Sequence, residues 1–216
     1  MAINENNFPK ILDTIEDTDA LMALIRNGDR ITDKHIKNIT FDTAELSNIY
    51  FTGCVLEKCK FTNCTMTRAS FANTIIQNCD FSNSDMTDGY FSNCKIDNSK
   101  FMGTIITNAI IKQIDINHGH FKYAVFDQTR FNNTDINNSD FSFAEMNECR
   151  LRDTHMTNTD FTDVGLFKTR LFDMDFSTCI IDGIRVSTDM SELRGMTVNI
   201  NQAAEMAKLL GIIIAD

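Results

Sequence analysis

The chain has 216 residues, one proline, no tryptophan and a net charge of −10. Acidic side chains outnumber basic ones by 30 to 20. That balance excludes a protein that grips nucleic acid through its phosphates, and it suits one that avoids anionic surfaces or competes with nucleic acid for a basic partner.

Met1 to Lys10 is polar and lacks the apolar centre of a secretion signal. No run approaches the ~18 apolar residues of a membrane span, so a cytoplasmic protein is expected. Asp17-Thr18-Asp19 precedes Ala20–Arg26, and Asn27-Gly28 follows. That order is a cap, a short helix and a stop. We expect residues 1–35 to form a helical cap on whatever comes next.

From Ile36 to Val186 every fifth residue is large and apolar, in one unbroken frame that opens Phe41, Leu46, Phe51, Leu56, Phe61. A period of five fits neither a helix (~3.6) nor a flat strand (~2). It fits a chain that turns a corner every five residues. With each frame residue as i, position i−2 is mostly small: Cys54, Cys59, Cys64, Cys79, Cys94, Cys149 and Cys179 all occupy it, alongside Ala, Ser, Thr and Gly. The cysteines therefore read as free, buried thiols, with no spacing suited to zinc. Ile49, Ile114, Val164 and Met174 are oversized for that slot and are expected to bulge the coil. Position i+2 is often Asn, Asp or Gly, which tolerate turn geometry.

This pattern resembles the pentapeptide-repeat family, whose motif is a small residue, a polar residue, Leu or Phe, and two variable residues. The resemblance implies a right-handed quadrilateral β-helix, an all-β solenoid with four pentapeptides and twenty residues per coil. The columns agree: positions 41, 61, 81, 101, 121, 141 and 161 are all Phe. Residues 36–188 then make about 7.5 coils and a rod of roughly 36 Å, with stacked residues ~4.8 Å apart. The frame has no loop insertion, so the rod is smooth.

Residues 189–216 leave the frame. Asn199 and Gln202 have the spacing of a capping box. Ala203, Met206, Ala207 and Leu210 share a helix face, Gly211 ends the helix, and Ile212-Ile213-Ile214 reads as a strand. The tail either folds back on the last coil or pairs with a second copy, through Met206, Leu209, Leu210, Ile212, Ile213 and Ile214. Val198–Ile214 is similar to the dimerisation segment of the Qnr-type quinolone-resistance proteins and of the related self-immunity proteins that protect DNA gyrase from peptide toxins. The smooth rod is closer to the loop-free, MfpA-type members.

Stacking also sorts the surface. Asp140 and Asp160 fall in one i−1 column, and Asp115, Asp135 and Asp175 in the next, which predicts an acidic ridge along the later coils. Arg130, Arg150 and Arg170 form a basic column on another side. Tyr123, Phe143, Phe167 and Phe172 fall at outward positions, covered by tail segments or free to meet a partner. No arrangement of His, Cys, Ser or carboxylates carries catalysis, and no cofactor or metal is implied. The resemblance implies a non-enzymatic DNA mimic that binds a type II topoisomerase, DNA gyrase, as a homodimer. The other reading is an interaction or structural rod with an unrelated partner.

Overall fold

The computed structural model describes residue 8, residues 13–28 and residues 30–214. The polar leader up to Lys10, Phe8 apart, lies outside the described residues. The fold is a right-handed parallel β-solenoid of about seven turns with two helices. Every strand pair and bridge between Ile31 and Arg185 joins residues twenty apart, such as Phe41↔Phe61 and Ile31↔Phe51. The longest strands are Tyr90–Asp97, Ile110–Asn117, Arg130–Asn137 and Arg150–Thr157, stacked in that order.

The cause is local. Every i+2 residue from Asp33 to Asp173 sits in the left-handed region, with φ between +45° and +64°. A left-handed residue at this fixed interval turns each corner, and Asn accepts that conformation most cheaply after Gly. Asn side chains also bond along the corner, as in Asn98 to Asn78 at 2.6 Å and Asn93 to Asn73 at 2.9 Å.

Inside, the Phe column is continuous. Phe61, Phe81, Phe101, Phe121 and Phe141 are buried, with successive ring centroids 4.6–5.2 Å apart. The i−2 slot carries a second function. Its Cys, Ser and Thr side chains donate to the carbonyl 23 residues back, as in Cys94 Sγ to Phe71 O at 3.3 Å and Thr104 Oγ1 to Phe81 O at 3.0 Å. The small residue thus stitches one coil to the next.

At three of the four oversized positions no bulge occurs. Ile49, Ile114 and Val164 are buried in a ladder of unbroken register. Ile114 is accommodated because Ala109 and Gly119 flank it in the same slot. A Cβ on Gly119 would lie 2.5 Å from the ring of Phe121. At Met174 the ladder does open: among the described residues, no backbone bond joins Cys149–Asn158 to Arg170–Ser177. Met is the longest side chain of the four. The last turn bonds upward instead, Leu171 N to Glu192 O at 2.9 Å and Asp173 N to Gly195 O at 3.1 Å.

At the N-terminal end, Asp17 caps helix α1 (Thr18–Arg26) through Asp19 N at 2.9 Å. Its Leu21 is fully buried in the solenoid core, and the strand Asp13–Ile15 pairs with Lys34–Ile36. At the other end helix α2 (Ile200–Leu209) starts at a capping box, with Asn199 and Gln202 exchanging bonds of 2.7 and 3.0 Å. Gln202 Nε2 also donates to Phe176 O and Cys179 O, at 2.8 and 2.7 Å. One buried side chain therefore both starts the helix and closes the final coil. Ile212–Ile214 form no strand among the described residues. A strand needs a partner for its main-chain groups, and Ile212 N instead returns to Ala207 O at the helix end.

Candidate protein-interaction faces

Of the four columns of i−1 side chains, two on adjacent faces carry the predicted ridge. One runs Lys60, Asp80, Lys100, His120, Asp140, Asp160. The other runs Lys95, Asp115, Asp135, His155. Four of the five ridge residues therefore come together: Asp115 stacks on Asp135, Asp140 stacks on Asp160, and Asn138 turns the corner between the pairs. Asp175 stands apart, separated from Asp135 by His155 and by the opened ladder. Asp135 and Asp175 are exposed, and Asp115, Asp140 and Asp160 half-buried.

These carboxylates also shape the coil. Asp140 accepts from Ser142 N at 2.8 Å. Asp160 accepts from Thr162 N at 2.8 Å and from its hydroxyl at 2.6 Å, and Asp175 from Ser177 N at 2.8 Å. The bonds from Ser177 hold the Asp175 carboxyl below its ordinary value. An Asp with Ser or Thr two residues on is thus a built-in turn brace as well as a charge. The sequence carries this signal in the recurrent Asp-x-Ser/Thr spacing.

The outward aromatics stay uncovered. Tyr123 is 54% exposed and Phe143 39%; their rings lie 5.2 Å apart, with Lys122 Nζ 5.3 and 5.1 Å from the two centroids. Both hold the left-handed corner at φ near +60°. A bulky residue is costly there, and neither ring is buried in return. Phe167 and Phe172 are also exposed. The covering by tail segments does not occur among the described residues, although the Gly195 backbone passes close to the Phe172 ring.

The tail presents a third face. Met206 is half-buried against the core, while Leu209, Leu210, Ile212, Ile213 and Ile214 are exposed, Ile213 to 94%. Contiguous apolar exposure of this kind marks a contact surface.

Comparison with known proteins agrees with the fold. The model for pentapeptide repeats matches in eight copies, over residues 49–88 and 120–153. No curated protein matches the sequence. A trypsin-treated form of QnrB1, described as a plasmid-mediated fluoroquinolone resistance protein, aligns over 86% of this chain and 100% of its own, at 16% identity and a TM-score of 0.50. HetL from the cyanobacterium Nostoc, described as a pentapeptide repeat protein involved in heterocyst differentiation regulation, aligns over 84% of this chain and 97% of its own, at 12% identity and a TM-score of 0.31. At 16% identity the likeness to QnrB1 is one of fold.

Proposed function

We propose that this chain, a pentapeptide-repeat protein, acts without catalysis as a DNA-like rod that binds a type II topoisomerase, DNA gyrase, and reduces the action of quinolones or toxin peptides. The reading rests on one observation above all: Asp115, Asp135, Asp140 and Asp160 stand as two stacked pairs beside one corner of a smooth rod. The resemblance of the Val198–Ile214 tail to the Qnr-type dimerisation segment supports it, as does the fold shared with a protein described by fluoroquinolone resistance. In this reading residues 1–35 cap the rod, 36–188 form it, and 189–216 join two copies. The protein works in the cytoplasm, where its partner is.

Magnitude limits the mimicry to that stretch. Duplex DNA carries a charge every ~1.7 Å, or about 21 over ~36 Å. Residues 41–190 carry 20 acidic and 13 basic side chains, a net of −7. Charge along the whole rod is too thin to imitate a duplex. The paired ladders concentrate it, and their attraction for a basic saddle weakens as salt rises.

The test is gyrase supercoiling with a fluoroquinolone while the protein is titrated in. Rescue is expected, and it should disappear when Asp115, Asp135, Asp140 and Asp160 are all changed to Lys. Rescue that survives the fourfold change removes the ladders from the mechanism. A second reading, a rod for an unrelated partner, is favoured by the Tyr123–Phe143 pair. Tyr123→Ser with Phe143→Ser would abolish such binding and leave gyrase protection intact.

A further inference from the structure

We propose that the opened seam between Arg150–Thr157 and the last turn is a docking slot for an extended peptide segment rich in Asp or Glu. The repeat's own rule, seen in Phe161 N to Ile180 O at 2.8 Å and Ile180 N to Thr159 O at 3.0 Å, would send Leu151 N to Arg170 O and Arg170 N to Cys149 O. Neither bond is made. One strand edge therefore offers both a free N–H and a free carbonyl. A simple anion satisfies the donor and leaves the acceptor bare. A second peptide strand satisfies both, which is strand addition.

Charge selects the peptide. The seam leads into a groove of about 620 Å³ lined by Glu148, Cys149, Arg150, Leu151, Lys168 and Arg170. Lys168 is held by Glu148 at 2.8 Å. Arg130, Arg150 and Arg170 make no ion pair among the described residues. Arg130 and Arg150 are register partners one strand apart. Arg170 also faces a second groove, with Phe172, Ser191 and Arg194. Arg150 and Arg170, unpaired on the two sides of the seam in a chain of net charge −10, match a carboxylate on the outward side of an added strand lying between them. The exposed Phe172 gives an apolar side chain of that strand a surface to lie on.

The probe is an end-blocked hexapeptide of alternating Glu and Val, titrated into the full-length protein by calorimetry and by amide NMR. Saturable binding is expected, with shifts at Leu151 and Asp153. Arg150→Glu with Arg170→Glu should weaken it roughly tenfold. The same peptide N-methylated on alternate residues keeps its charge but cannot pair along the edge, and it should not bind to the unaltered protein. Absence of binding overturns the proposal. So does equal binding of the N-methylated peptide, or displacement of the hexapeptide by an equal concentration of tripolyphosphate, since either would make the groove a general anion site.

Discussion

A phenylalanine such as Phe81 meets its like above and below, Phe61 at 5.2 Å and Phe101 at 5.0 Å, and has no exposed surface. Removing it leaves two stacked partners without a neighbour and a void that coils held by a rigid ladder cannot close. Phe81→Ala should cost about 3–5 kcal/mol, read as a fall in the denaturation midpoint. In a solenoid each coil contacts only its neighbours, so the loss should spread as fraying from the nearer end. A cost under ~1 kcal/mol would mean that the column contributes little. The buried thiols behave differently. Burial pushes Cys94 and Cys149 up to about 12, so they stay protonated and serve as packing and as donors to carbonyls.

At the scale of elements, the features legible in the sequence are those fixed by neighbours a few residues apart. The five-residue frame, the Asp17 cap, the Asn199–Gln202 box and the stop at Gly211 are all local chemistry, and each is present in the structure. The opened seam was legible only as a local bulge at the oversized Met174; its extent, with no backbone bond among the described residues between Cys149–Asn158 and Arg170–Ser177, was not, because it depends on how that residue meets a coil more than twenty residues away. Nor was Glu192. Its side chain is buried under the last turn and accepts from Lys168 N at 2.7 Å and from Ser187 N and hydroxyl. Burial alone would raise its pKa, but these bonds outweigh it and the carboxyl ends below its ordinary value of 4.5. A lowered folded-state pKa contributes stability that is fully present above the unfolded value and is lost as pH falls through the folded one. Unfolding followed from pH 7 to pH 3 should therefore show a loss of stability beginning near pH 4.5 that is reduced in Glu192→Gln, which would itself be less stable at neutral pH. An unchanged acid limb would show that other carboxylates set it.

For the whole molecule the unresolved balance lies at its C-terminal end. Met206 already packs on the core, whereas Leu210 is 65% and Ile213 94% exposed. Three consecutive isoleucines have strong strand preference, yet a strand requires a second edge, and the rod's last coil is closed by Gln202. In the proposed dimer that edge is the same segment of another copy, because a two-fold contact would cover both apolar tails at once and leave no open end. Leu210→Asp with Ile213→Asp should convert the protein from dimer to monomer by light scattering. The coils themselves should keep their denaturation profile, since neither side chain lies in the buried core. Two rods end to end would also double the reach of the acidic ladders along a partner, so the monomeric variant should protect gyrase less well at equal protomer concentration. A dimer that survives both substitutions would move the interface to other exposed apolar surface, such as the Tyr123–Phe143 pair, and would place the partner-binding face elsewhere on the rod.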